Sequence, residues 1–210
     1  MRPLNTILTR DLREEYSVQL KELVDLCPEV AQGKIAFSDI QQAFVVAQVA
    51  KFATKDSKIL CVGYNCDTAY YTLLKKGYSI DAIDPLFNMD LNTFYTSWKT
   101  NPITYDVIFS TSVIEHVKDD ILFINQIAEM LSPNGHGILT MDFNNQYVVG
   151  DRLPSTDERF YTTDYIMNKL IPTRGDCSLV DIPDYDKYQP DFQWEGVDYG
   201  FASLVFKKNA

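Results

Sequence analysis

The segment from Lys58 to Pro85, KILCVGYNCDTAYYTLLKKGYSIDAIDP, contains two residues with the types and spacing of a nucleotide site. Gly63 follows the apolar run ILCV, and a residue without a side chain there allows a sharp turn and the close approach of a ligand. Asp84 ends the next apolar run about 20 residues later, where a carboxylate can accept hydrogen bonds from both hydroxyls of a ribose. The pair predicts a cofactor that contains a ribose.

The turn after Gly63 lacks the other glycines of a dinucleotide motif. A GxGxxG turn, which brings the backbone against a pyrophosphate, would have glycine where Asn65 and Thr68 stand. An NAD-dependent oxidoreductase is therefore a weaker alternative, although it stays open. A cofactor with a ribose but no phosphate needs fewer glycines, because Gly63 can form the turn and Asp84 can hold the ribose.

Alternating strands and helices would bring these two residues to one edge of a sheet. Apolar runs predict strands at KILCVG, YSIDAID, YDVIFS and HGILTMDF, with helices at TAYYTLLKK and DILFINQIAEML. Strands separated by single helices pair in parallel through right-handed crossovers. We therefore predict an α/β fold with a doubly wound, mostly parallel sheet. The runs CSLVDI and YGFASLVFKK have no helix between them, which predicts an antiparallel C-terminal hairpin.

A length of 210 residues is consistent with one domain around one core. The predicted segments are an N-terminal helical extension over 1–57, a cofactor-binding core over 58–143, a lid or substrate segment over 144–176 and C-terminal strands over 177–210. Apolar residues at helical spacing predict one helix from Asp11 to Cys27. A second helix is predicted to begin at Ser38, with Gln41 completing a capping box.

The composition argues against several classes of partner. The 19 Lys and Arg against 29 Asp and Glu give a net charge of −10, which repels a nucleic-acid backbone. No apolar stretch has the length of a membrane span, and the N-terminus lacks the pattern of a secretory signal. We therefore expect no membrane association and a cytoplasmic protein. The four cysteines form no CxxC pair, so we predict neither disulfides nor a metal site.

A longer segment, Tyr105 to Phe143, has a more specific pattern, YDVIFSTSVIEHVKDDILFINQIAEMLSPNGHGILTMDF. Its strand, Glu-His turn, helix, Pro-Asn-Gly turn and second strand resemble the corresponding part of the class I S-adenosylmethionine-dependent methyltransferases. The short connection from Asp84 to Tyr105 is similar to that of a compact subgroup that includes ubiquinone-biosynthesis-type enzymes. The glycine turn departs from the family pattern, because Cys61 replaces its acidic residue and only Gly63 of its glycines is present.

The resemblance implies S-adenosylmethionine as the cofactor. Asp84 would hold the ribose, the residues after it would lie beside the adenine, and Ser110 to Ser112 would line the methionine portion. Asp90 could accept a hydrogen bond from the adenine amino group. The predicted cofactor-binding residues are Gly63, Tyr64, Asp84, Pro85, Leu86, Phe87, Ser110, Thr111 and Ser112.

Methyl transfer requires a nucleophile aligned with the sulfonium methyl and, for a hydroxyl acceptor, a base that removes the proton. The candidate catalytic residues are His116, in the Glu-His turn, and Asp142, at the end of the following strand. We expect a small-molecule acceptor, with an oxygen of a hydroxylated metabolite or sugar preferred to a nitrogen. A structural role for the Glu-His turn, and a non-catalytic member of the fold that binds a cofactor or partner, are the alternatives.

Overall fold

A mixed, open β-sheet forms the centre of the protein. The computed structural model describes residues 2–33, 37–171 and 176–210. Within these ranges the strands are β1 (Ile59–Val62), β2 (Ile80–Ile83), β3 (Tyr105–Thr111), β4 (Leu131–Phe143), β5 (Cys177–Leu179), β6 (Phe192–Trp194) and β7 (Val197–Lys208). Their order is β2-β1-β3-β4-β7-β5, and β6 pairs with β7 beside this path.

The pairing directions confirm the predicted α/β fold. The strands β2, β1, β3 and β4 are parallel, whereas β7 is antiparallel to β4 and to β5. The predicted pairing of CSLVDI with YGFASLVFKK is therefore present. Residues 1, 34–36 and 172–175, from the predicted extension and lid segment, lie outside the described residues.

Helices cover both faces of the sheet. Those described are α1 (Leu12–Glu15), α2 (Ser17–Leu26), α3 (Pro28–Gln32), α4 (Asp39–Phe52), α5 (Thr68–Lys75), α6 (Leu91–Trp98), α7 (Asp120–Met130) and α8 (Thr163–Tyr165), with a 3₁₀ turn at Ile114–His116 and a π-helical turn at Ile166–Leu170. Residues of α2, α4 and α5 belong to one apolar cluster, and residues of α6 and α7 belong to another. Of the described helices, none has the length and apolar character needed to cross a membrane.

Two predictions for the N-terminal helices are wrong. The predicted helix from Asp11 to Cys27 is divided at Tyr16, whose φ of −98° and ψ of 18° are not helical. The Tyr16 ring is buried edge-on against Phe44, so tertiary packing overrides the local pattern there. The predicted capping box at Ser38 is absent, because the Gln41 side chain accepts a hydrogen bond from Ser112 Oγ at 2.9 Å.

The strand β6 lies in a stretch for which no strand is predicted. Glu195 and Gly196 join it to β7 with φ of 51° and 75°, and a two-residue type I′ hairpin turn requires positive φ at both positions. Phe192 consequently pairs with Tyr199 across the hairpin. This hairpin places several aromatic side chains at one end of the sheet.

The segment before α1 is bound to β7. The Asn5 side chain donates to Val205 O at 3.1 Å and accepts from Val205 N at 2.7 Å. Leu8 N donates to Phe201 O at 2.8 Å. The strand β7 therefore holds residues from the beginning of the chain as well as β4, β5 and β6.

The carboxyl ends of the four parallel strands meet at one edge of the sheet. Gly63 and Asp84 follow β1 and β2, and the Gly63 N–H donates to Ile83 O at 2.8 Å. Ser112 follows β3, and Asp142 is the penultimate residue of β4. Between Asp84 and Tyr105, where every residue is described, α6 is the only helix or strand, as the short connection predicts.

Gly63 should tolerate a side chain less well than Gly77, although the two have nearly the same backbone conformation, with φ of 85° and 86°. A Cβ at Gly63 would lie 2.3 Å from Val113 Cγ2, whereas a Cβ at Gly77 meets no atom within 4 Å. We expect Gly77→Ala to lower the free energy of unfolding by about 1 kcal/mol through backbone strain alone. Gly63→Ala should cost about 1–3 kcal/mol more because of overpacking, measured by urea unfolding. Equal losses would contradict the contact with Val113.

Candidate active site

Two cavities open at the carboxyl edge of the parallel strands. The smaller, which we call the Gly63 cavity, has a volume of about 510 Å³, and its lining includes Gly63, Pro85, Met89, Asp90 and Val113. The larger, the Glu115 cavity, has a volume of about 800 Å³, and its lining includes Gln41, Asn65, Cys66, Ser112, Glu115, His116, Asp142, Thr156 and Asp157. Since Ser112 faces the larger cavity and Val113 the smaller, the two cavities are neighbours along the same loop.

Asp84 connects the loops that follow β1 and β2. Its Oδ2 accepts a hydrogen bond from Asn65 N at 2.9 Å, and its Oδ1 accepts one from Leu86 N at 2.9 Å. The residue is only 5% exposed. Each carboxylate oxygen can accept a second hydrogen bond, so the predicted contact with a ribose is compatible with these bonds.

The structure separates the other residues predicted near the adenine. Pro85 lines the Gly63 cavity, whereas Leu86 and Phe87 are 74% and 61% exposed. Tyr64 stacks on Phe87 with ring centroids 5.3 Å apart. None of these three side chains is among the described residues that line the Gly63 cavity. Asp90 lines the cavity, and it also caps α6 by accepting a hydrogen bond from Thr93 N at 2.7 Å.

Ser110 and Thr111 use their hydroxyls inside the protein. Ser110 Oγ donates to Val62 O at 2.9 Å, which ties β3 to β1. Thr111 Oγ1 donates at 3.1 Å to Asp67 Oδ2, and Asp67 also caps α5. Both residues are buried, and both position the loops below the cavities.

Ser112 is the member of this predicted group that faces the Glu115 cavity. Its φ of 49° is in the left-handed region, which is rare for a residue with a side chain and is often found at functional sites. Its Oγ lies 2.9 Å from Gln41 Oε1 and 3.3 Å from Asp142 Oδ1. Ser112 thus connects α4 with the carboxylate at the end of β4.

Glu115 is the most unusual side chain of the larger cavity. It is completely buried, and neither Oε1 nor Oε2 makes a hydrogen bond of ordinary geometry, although Ser112 and Asp142 lie close enough to lower its pKa. Burial raises the pKa of Glu115 to about 7. Burial also raises the pKa of Asp142 well above its usual range, and the negative charge of Glu115 adds to this effect. In the absence of a ligand, the two carboxyls are therefore expected to share a proton.

His116 is paired with a third carboxyl group. Its Nδ1 lies 3.0 Å from Asp157 Oδ1 and 3.1 Å from Thr156 O. Burial lowers the pKa of His116, but the hydrogen bond to Asp157 and the negative charges around the ring outweigh that effect, so the pKa is raised. A raised pKa makes the imidazole a stronger base but leaves it protonated more of the time, and the same is true of the raised pKa values of Glu115 and Asp142. The structure brings both predicted catalytic candidates, His116 and Asp142, to one cavity.

The predicted lid segment places Asp157 in this cluster. Arg159 donates to Val117 O and to Lys118 O, both at 2.8 Å, and Glu158 N donates to Glu115 O at 2.9 Å. These bonds fasten the segment onto the Glu-His turn. The Oδ2 atom of Asp157 is buried and has no hydrogen-bond partner.

Aromatic side chains form another part of the cavity lining. They come from the β6–β7 hairpin and are Phe192, Trp194, Tyr199 and Phe201. The ring centroids of Phe192 lie 4.8 Å from Tyr199 and 4.9 Å from Phe201. The larger cavity therefore combines a carboxyl cluster with an aromatic surface.

A family model described as a methyltransferase domain matches residues 22–173. The chain belongs to this methyltransferase family. The predicted class I family is thereby confirmed, whereas the ubiquinone-type subgroup stays a prediction. No curated protein sequence matches the chain.

Solved structures with the methyltransferase fold resemble the chain over most of its length. The [4+2]-cyclase SpnF has a TM-score of 0.56 at 17% identity, over 91% of this chain and 94% of SpnF. The 1,6-didemethyltoxoflavin N1-methyltransferase of Burkholderia thailandensis has a TM-score of 0.54 at 15% identity, over 94% and 90% of the two chains. Coclaurine N-methyltransferase has a TM-score of 0.52 at 14% identity, over 92% and 88%. At these identities the likeness shows the fold.

Several residues of the Glu115 cavity were not predicted as site residues. Glu115 precedes His116 in the chain, but the sequence does not show that it is buried without a partner. Asp157 and Gln41 reach the cavity through contacts with distant loops. The aromatic residues of the hairpin had a usable signal, since Glu195-Gly196 is flanked by alternating apolar positions in FQWEGVDYGF.

The buried carboxyl of Glu115 should make stability depend on pH. Its folded-state pKa is raised from 4.5 to about 7, so the folded protein loses stability as pH rises through this interval. The neutral variant Glu115→Gln lacks this loss. We expect its free energy of unfolding to exceed that of the wild type by a margin that grows to about 3 kcal/mol between about pH 5 and pH 8. Urea unfolding at both pH values measures the difference.

The exposed Glu158, in the adjacent lid segment, supplies the control Glu158→Gln. This variant should follow the wild type at both pH values, because the carboxyl that it removes is exposed to solvent. A difference between Glu115→Gln and the wild type that does not change with pH would contradict the raised pKa of Glu115.

Proposed function

We propose that this methyltransferase moves the methyl group of S-adenosylmethionine to a small molecule bound in the Glu115 cavity. The observation that carries the proposal is the pair of buried carboxyls, Glu115 and Asp142, beside the loop that follows Gly63. A carboxyl with a pKa of about 7 can accept a proton from an acceptor at neutral pH and release it afterwards. Burial keeps competing water away from the transfer.

The residues around Gly63 fit S-adenosylmethionine, which supplies a methyl group made electrophilic by a sulfonium. Asp84 offers spare acceptor capacity for the ribose hydroxyls, and Pro85 and Asp90 line a cavity beside it. Ser112 and Asn65 line the adjacent larger cavity, where the methionine portion would lie. The structures of the Burkholderia enzyme and of coclaurine N-methyltransferase contain S-adenosylhomocysteine, which supports the same cofactor here.

The acceptor atom is an oxygen or a nitrogen, since either loses a proton to a carboxylate. The sequence favours an oxygen of a hydroxylated metabolite or sugar, whereas the two N-methyltransferases of the same fold favour nitrogen. SpnF is a cyclase, so a member of the fold without methyl transfer is the second candidate.

A cytoplasmic location and the division of the chain into four segments also stay predictions.

Calorimetric titration tests the cofactor and Asp84 together. The wild type should bind S-adenosylmethionine and S-adenosylhomocysteine but not NAD. Asp84→Asn should weaken the binding of S-adenosylhomocysteine by about 1–3 kcal/mol, because a charged hydrogen-bond acceptor for the ribose is lost. The matched control is Asp56→Asn, at an exposed position before the amino end of β1, and it should leave the affinity unchanged. Unchanged affinity of Asp84→Asn would remove Asp84 from the site.

Release of S-adenosylhomocysteine from S-adenosylmethionine, measured across a panel of small hydroxyl and amine compounds, tests the transfer itself. With an accepted compound, Glu115→Gln and Asp142→Asn should each lower kcat by about 10²- to 10⁴-fold, since each removes a carboxyl that takes the proton. Glu158→Gln should retain wild-type kcat. Binding of both sulfur nucleotides without any transfer would favour the second candidate, and binding of neither would refute the proposed function.

A further inference from the structure

The carboxyl cluster of the Glu115 cavity indicates the chemical class of the acceptor. We infer that the acceptor is a basic amine that enters as an ammonium ion and lies between Glu115, Asp142 and the aromatic residues of the β6–β7 hairpin. This inference rests on the proposed function and specifies its substrate. It differs from the hydroxyl acceptor that the sequence favours.

The first argument is that three buried carboxyl oxygens of the cluster make no hydrogen bond of ordinary geometry. They are Glu115 Oε1 and Oε2 and Asp157 Oδ2. Buried carboxylates in this condition are costly, and native proteins rarely leave them so. A proton shared by Glu115 and Asp142 can lower this cost while the cavity is empty. An ammonium ion supplies up to three donors and a positive charge, so it can take the place of that proton.

The second argument is the sign of the charge. The described residues that line the cavity include four carboxyl groups, from Glu29, Glu115, Asp142 and Asp157, and one imidazole, from His116. No lysine or arginine occurs among those described lining residues. An acceptor with a phosphate or carboxylate would be repelled here, and a neutral sugar would leave the carboxyl charges unbalanced.

The third argument is that aromatic residues line the same cavity as the carboxyls. Trp194 and Tyr199 line the cavity together with Phe192 and Phe201. Aromatic faces attract cations, most strongly in the case of tryptophan, and they also bind the apolar part of an amine. A cavity lined by both carboxyl groups and aromatic rings is suited to an organic ammonium ion.

The cluster also supplies the proton acceptor that an amine needs. An ammonium nitrogen has no free lone pair, so its proton first passes to the carboxylate of Glu115 or Asp142. The nitrogen lone pair then forms a bond to the methyl carbon while the carbon–sulfur bond breaks, with its electron pair remaining on sulfur. The products are the methylated ammonium ion and S-adenosylhomocysteine, and the carboxyl proton is released to water.

Matched probes test the preference for a cation. Benzylamine is an ammonium ion at about pH 8, where the carboxyls are more fully ionised, and benzyl alcohol is its neutral counterpart. Calorimetry with S-adenosylhomocysteine-loaded protein should show benzylamine binding at least about tenfold more tightly than benzyl alcohol. Glu115→Gln should reduce this preference to about twofold or less, while Glu158→Gln should retain it. Equal binding of the two probes, or no detectable binding of benzylamine, would overturn the inference.

The amino-acid portion of the cofactor also carries an ammonium group. A second titration shows whether the carboxyl cluster binds the ammonium group of the acceptor or that of the cofactor. 5′-Methylthioadenosine lacks that portion, so it serves as the reference for S-adenosylhomocysteine. If the cluster binds the acceptor, Glu115→Gln should change the affinities for both nucleosides by similar small factors. A large loss of affinity for S-adenosylhomocysteine alone, together with competition between it and benzylamine, would assign the cluster to the cofactor and overturn the inference.

Failure of this inference can be distinguished from failure of the proposed function. If the wild type binds S-adenosylhomocysteine but does not prefer benzylamine, the inference fails and the proposed function stands. If the wild type binds neither sulfur nucleotide, the proposed function fails. The benzylamine and benzyl alcohol titrations are therefore repeated without nucleotide, where the same preference is expected from the same carboxyls.

Discussion

Parallel pairing of β1 with β2 on one side and with β3 on the other is the constraint on which the site depends. Because parallel strands point the same way, the loops that follow them meet at one edge and bring together residues from distant parts of the chain. β4 extends this arrangement by pairing in parallel with β3, so that Asp142 arrives next to Ser112. The shape of each loop then decides which side chains face the cavities.

The sequence predicts the sheet and the edge at which the candidate site residues meet, because these depend on periodicity and on simple rules of connection. Gly63 and Asp84 are predicted as cofactor-binding residues from their types and their positions after apolar runs. The cavity lining was less accessible, because burial and orientation are set by tertiary contacts. Gln41 illustrates the difference: its local sequence favours a capping box, but its side chain bonds Ser112, 71 residues away. Glu115 stands in an apolar neighbourhood, VIEHV, that does not distinguish a buried carboxyl from an exposed one.

The site includes two features that cost stability. Glu115 places a carboxyl in a fully buried position, and Ser112 holds a backbone conformation that favours glycine. Neither feature improves the packing of the core, and each is located at the loop where the two cavities meet. Surrounding bonds compensate for them, including the attachment of Arg159 to the Glu-His turn and the bond from Ser110 to β1. Such a distribution is typical of sites in which function, rather than folding, selects the residue.

The position of β7 has a consequence for the order in which the protein folds. β5 and β6 precede β7 in the chain, yet both pair with β7. β4, which pairs with β3 along one edge, pairs with β7 along its other edge. Asn5 bonds to Val205 across a separation of 200 residues. During synthesis, β4 therefore has an open edge, and the aromatic surface of the cavity cannot assemble, until residues beyond 197 have left the ribosome. Contacts of such high sequence separation slow folding, and the nascent chain exposes an apolar strand edge that a chaperone can protect.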